Sequence, residues 1–129
     1  MSDHVDDTLR LWRSSSFQWG AADCMLSVGD HIARRGGVDV ASRYRGTYGD
    51  EAGAMAHMSA AGGAVALVDA TGLPERLGPP LRGDIVVIGI DGDGIGGLCT
   101  GDSVAIRIER GVAEISIRLC RILKAWECP

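Results

Sequence analysis

Histidine and aromatic side chains are both scarce: 129 residues carry three His, three Trp, two Tyr and one Phe. The four cysteines, Cys24, Cys99, Cys120 and Cys128, include no C-x-x-C pair of the kind a structural zinc site needs. No metal and no cofactor is expected. Lys and Arg are scattered rather than clustered, and the net charge is −4, so a nucleic-acid partner is not expected. Long apolar runs are missing as well. The longest, 64–68 and 85–90, fall far short of the ~20 residues that cross a bilayer, so no membrane span is expected. Residues 1–7 are polar and acidic, which does not fit a secretory signal. Without export, disulfides are a poor default, and Cys99 and Cys120 read as small buried apolar residues.

What is abundant is glycine, at 19 residues, together with 46% hydrophobic side chains. That combination suits one compact domain over 1–129 with many tight turns. Residues up to about 72 carry helical signals and those from 84 carry strand signals. Val5, Leu9 and Trp12 are at helical spacing in 3–13, before Ser14-Ser15-Ser16. Cys24, Val28 and Ile32 repeat that spacing in 23–35, with Gly36-Gly37 as the stop. A short helical turn is expected at 40–44. Asp50 can cap a helix ending at Gly62-Gly63, and 64–70 reads as a further short helix. Three of the four prolines fall in 73–82, which reads as a loop. The β-branched run Ile85–Ile90 predicts a buried strand, 91–97 a Gly/Asp turn, and 98–100 with 104–108 a hairpin about Gly101-Asp102. A strand over 112–117 follows, and 119–126 fits either a helix or a last strand. Helices first and an antiparallel meander afterwards is the α+β pattern.

The chemically suggestive stretch is Phe17-Gln18-Trp19-Gly20-Ala21-Ala22-Asp23-Cys24. A glycine turn runs into a helix whose first turn holds a cysteine, with Asp23 placed to cap it. A helix N-terminus stabilises a thiolate, and its free N–H groups can receive an oxyanion. The plainer alternative is a structural cysteine at the end of the Cys24/Val28/Ile32 stripe.

This block resembles the active-site signature of NlpC-type, papain-like cysteine peptidases, in which an aromatic–Trp–Gly segment ends in Asp-Cys. Arg82-Gly83-Asp84-Ile85-Val86 resembles that family's Gly-Asp lead into its first sheet strand, and Gly97-Leu98-Cys99-Thr100-Gly101-Asp102 its second strand and turn. The likeness is closest to a branch found among the tail genes of phages and gene transfer agents, through Tyr44-Arg45-Gly46-Thr47-Tyr48 and Lys124-Ala125-Trp126-Glu127-Cys128 as well. The resemblance implies a papain-like α+β fold with the Cys24 helix packed on a C-terminal antiparallel sheet. It implies Cys24 as nucleophile and Trp19, Gly20, Asp23 and Tyr48 as cleft-supporting residues. It also implies a place in the virion tail, with tail hub and distal tail proteins as partners and peptidoglycan as substrate.

One departure decides how that resemblance is read. The family's general base is a histidine just before the glycine that matches Gly97, and this chain has Ile95-Gly96 there. His31 is seven residues along the Cys24 helix, about 10 Å away and beyond hydrogen-bond reach. His4 and His57 read as surface residues. Asp91, Asp93 or Asp102 can lie near the sheet end, but a carboxylate raises a thiol pKa. The expected function is thus a tail-tip component with an NlpC-type fold and weak or lost hydrolysis. The alternatives are an active cysteine peptidase or amidase cutting peptidoglycan stem peptides, and a bacterial binding domain. Gly92-Asp93-Gly94-Ile95-Gly96-Gly97 formally fits G-x-G-x-x-G, but no helix pattern follows it. A calcium loop at Asp91-Gly92-Asp93-Gly94 lacks its closing Glu.

Overall fold

The structure, a computed structural model, describes residues 3–129; the first two residues of the expected helical half lie outside them. Four helices come first: α1 His4–Ser14, α2 Cys24–Arg34, α3 Glu51–Ala61 and α4 Ala64–Asp69. Single 3-10 turns occur at Ala41–Arg43 and Ile117–Leu119. Asp3, Asp23 and Asp50 cap the first three helices, each carboxylate accepting a backbone N–H three residues on, from Asp6, Leu26 and Gly53. These bonds satisfy donors that a helix start leaves free. Gly62 ends α3 in the left-handed region at φ 96°.

Five strands follow: β1 Ile85–Ile90, β2 Asp93–Cys99, β3 Ser103–Ile108, β4 Gly111–Ser116 and β5 Arg121–Trp126. They form one antiparallel sheet in the order β4-β3-β2-β1-β5. The fold is α+β, with N-terminal helices packed on a C-terminal sheet. The segment 119–126, open between helix and strand by pattern, is a strand from Arg121 because it pairs with β1.

The sheet is curled. β4 and β5 lie at opposite edges, yet only four residues separate Ser116 from Arg121. The five residue steps between them reach at most about 18 Å, whereas four spacings across a flat sheet come to about 19 Å. The Ile117–Leu119 turn bridges the edges, anchored where the Ile117 N–H donates to the Asp102 carbonyl at 2.9 Å. Curling separates two apolar layers. Val5, Leu9 and Trp12 of α1 and Val28 and Ile32 of α2 pack against Ile85, Val87, Leu98 and Trp126 on one face. Val86, Ile88, Cys99, Val104 and Ile106 fill the other, with Cys24, Ile95 and Cys120 against them. Each large side chain taken out of water contributes about 1.5–3 kcal/mol.

The Gly/Asp turn expected over 91–97 is mostly strand. Only Asp91-Gly92 turns the chain, with φ 48° and 86°, and β2 begins at Asp93. The glycines in β2 serve close approach. A Cβ at Gly94 would lie 3.1 Å from a Val87 methyl and 3.3 Å from Ala64 Cβ, and one at Gly97 would lie 2.7 Å from the Ala105 carbonyl. Among the described residues, β2 and β3 share only the pairs Leu98↔Ala105 and Cys99↔Val104.

Two histidines are withdrawn from solvent, His4 against its expected surface position. His31 is 1% exposed, on the buried side of α2, with Nδ1 2.7 Å from Thr8 Oγ1 of α1. His4 is half-buried beside it, ring centroids 6.0 Å apart. Cys99 is fully buried, while Cys120 is half-buried with its Sγ 3.4 Å from the Ser116 carbonyl. Among the described residues no helix is long and apolar enough to cross a membrane.

Candidate functional site

A cleft of about 340 Å³ opens between α2, the 40–48 segment, α3, α4 and the β1–β2 turn. Cys24, the first residue of α2, is on its wall, with Trp19, Asp23 and Tyr48. Gly20 is set behind the wall. Its φ is 80°, and a Cβ there would come within 1.9 Å of the Tyr48 carbonyl, so any side chain would push Tyr48 away.

Asp23 holds this corner together. Its carboxylate is 1% exposed and accepts from the Gly20 N–H at 3.0 Å, the Leu26 N–H at 3.0 Å and the Tyr48 hydroxyl. One side chain thereby ties the glycine turn, the start of α2 and the 44–48 segment together. The Gly46 N–H donates to the Gly20 carbonyl at 2.8 Å from the same side. Phe17 and Trp19 meet edge to face at 4.9 Å between centroids, which orients the Trp19 ring.

The electrostatics correct the expectation of an activated thiol. Burial pushes the Cys24 thiol up to about 11, and the neighbouring Asp23 charge adds to the rise. The backbone N–H groups of Cys24 and Met25 act in the opposite direction without overcoming it. At neutral pH Cys24 is a thiol. Burial, then the bond to Asp23, raises the Tyr48 phenol, so Tyr48 stays a hydrogen-bond donor to that carboxylate.

Gly96, just before Gly97 on β2, faces α2. A Cβ built there would meet Met25 Sδ at 2.9 Å and Val28 Cγ2 at 3.7 Å. The Met25 thioether occupies that space.

His57, assigned to the surface from sequence, lies on the cleft wall. Its ring is 5.8 Å from Tyr44 and 5.4 Å from Tyr48 between centroids. The Thr47 hydroxyl donates to the Tyr44 carbonyl at 2.5 Å, so at 3.2 Å from His57 Nε2 it accepts the ring N–H. Nδ1 is then the acceptor nitrogen of His57. Glu51, Met55 and Met58 of α3 line the cleft too, as do Asp91 and Asp93; Asp102 is not among the lining residues. Ala54, Met55 and Met58 are apolar positions of this helix in the sequence, and all three line the cleft; Glu51 and His57 carry no such signal. Among the described residues no three His, Cys, Asp or Glu side chains are grouped to hold a metal ion.

No curated protein and no solved structure matches the chain. A family model described as a domain of unknown function, DUF6950, does match, over residues 1–128. The fold and the cleft described above thus belong to a member of the DUF6950 family.

Proposed function

We propose that the chain is a papain-like, NlpC-type domain of a phage or gene-transfer-agent tail tip that keeps a peptide-binding cleft and hydrolyses weakly or not at all. One observation carries the reading: Cys24 opens α2 at the cleft wall, while the strand position for its base is a glycine whose space Met25 Sδ fills. The raised thiol pKa supports it, since a nucleophile kept protonated at neutral pH is weak. A positioned acid–base group is worth about 10²–10⁴-fold in rate, and the strand supplies none. Peptidoglycan stem peptides are the expected ligands, and tail hub and distal tail proteins the expected partners.

Two measurements test this. Iodoacetamide labelling of the folded protein against pH should give a Cys24 midpoint well above that of a free thiol, with Cys24→Ala used to assign the labelled residue. Muropeptide digestion should release little product, and a Cys24→Ala virion should assemble normally. Robust release abolished by Cys24→Ala would replace this reading with a working peptidase. His57 favours that second reading, because its acceptor Nδ1 belongs to a ring on the same cleft. In that event His57→Ala should remove the activity, while Met25→Leu should leave it intact.

A further inference from the structure

The charges around the cleft all have one sign. Glu51, Asp91 and Asp93 line it together with the buried Asp23, and no Lys or Arg does so among the described residues. Asp23 is satisfied by its three donors. The other three carboxylates are exposed, and no ion pair among the described residues includes them. Elsewhere carboxylates are taken up by cations: Asp3 and Asp6 by Arg82, Asp69 and Glu75 by Lys124. The cleft interior is apolar, through Met25, Val28, Met55, Met58 and Ile95. Trp19, Tyr44 and Tyr48 line the cleft as well, and the face of an aromatic ring attracts cations.

We propose that this cleft selects a peptide bearing a primary ammonium group on an apolar stem. The stem packs among the methionines, and the ammonium lies at the Glu51/Asp91/Asp93 rim. The charge pattern chooses the occupant: an anionic peptide meets three unpaired carboxylates and no counter-charge. This inference rests on the reading of the groove as a peptide cleft and names its ligand class. No bond is made or broken in it.

The test compares three blocked dipeptides, N-acetyl-Ala-Lys amide, its norleucine isostere and its N-ε-acetyl-lysine form. They are titrated into the full chain at low salt and followed by amide chemical shifts. The lysine peptide should bind about tenfold more tightly than either neutral peptide. It should shift amides of 51–58 and 91–95, and its advantage should shrink at 0.5 M salt. In the Glu51→Gln/Asp91→Asn/Asp93→Asn variant the advantage should disappear. Asparagine tolerates the positive φ of position 91, and the comparison of the three peptides on the unaltered chain stands even if that variant misfolds. Equal binding of the lysine and norleucine peptides in the cleft overturns the proposal and leaves the peptide-cleft reading in place. A lysine preference that survives the triple substitution also overturns it. If none of the three binds, the proposal and the peptide-cleft reading fail together.

Discussion

Asp23→Ala is expected to destabilise the domain by about 4 kcal/mol, a large effect for a polar side chain. The change removes a helix cap, which alone is worth about 1 kcal/mol. It also strands the Gly20 N–H and the Tyr48 hydroxyl, both of which donate to Asp23 Oδ2. Each buried donor left unpaired adds about 1–3 kcal/mol. Tyr48→Phe removes one donor along with its bond and should cost only about 1 kcal/mol. Urea unfolding of the two variants measures the difference. If Asp23→Ala costs no more than Tyr48→Phe, Asp23 is not what holds the corner together. Asp23→Asn keeps the shape and removes the charge, so it should be milder in stability and should lower the labelling midpoint of Cys24, whose thiol that charge pushes up.

The second large effect is a loss of stability in mild acid that belongs to His31. Burial brings this imidazole down from 6.5 to about 4, and the charges of Arg34, His4 and Arg35 push the same way. Thr8 is its hydrogen-bond partner, and the Arg34 guanidinium reaches the same hydroxyl at 3.4 Å. Since the folded pKa lies below the unfolded one, the folded state resists protonation. The contribution is therefore complete above about pH 6.5 and is lost as pH falls toward 4. With one pKa unit equal to 1.36 kcal/mol, the loss approaches about 3 kcal/mol over that window. The check is the unfolding free energy of wild type and His31→Gln at pH 7 and pH 4.5. Carboxylates contribute to both proteins, so the difference between the two slopes isolates the imidazole. Equal slopes would show that His31 stays neutral for other reasons or titrates without consequence.

Much of the architecture was legible because the signals are local. The aspartate caps, the glycine stop after α3 and the β-branched run of β1 each depend on residues within one turn or one strand. β2 was misread as a turn because Gly94, Gly96 and Gly97 look like chain reversal in sequence. Their role is to admit Val87, Met25 and the Ala105 carbonyl, and those neighbours are brought there only by the sheet and by α2. The burial of His31 is not legible for a similar reason: its partner Thr8 is 23 residues away on another helix. At the site, Trp19 to Cys24 stood out as one contiguous block. His57 and Glu51 did not, because both are polar positions beside the apolar Ala54, Met55 and Met58, and only the fold shows that they meet the cleft.

The absence of any fully buried residue in α3 has a dynamic consequence. The helix is attached by the His57 contacts to Thr47, Tyr44 and Tyr48, by the close approach of Gly53 to Tyr48, and by its turn into α4. Of its side chains only the half-buried Met58 packs against an apolar layer, so its excursions from the cleft cost far less than global unfolding. Native-state amide exchange should show α3 as a separate, weakly protected unit, exchanging well before α2 and β1. Access to Cys24 is then set by the lifetime of that helix on the surface, on a timescale independent of the stability of the domain beneath it.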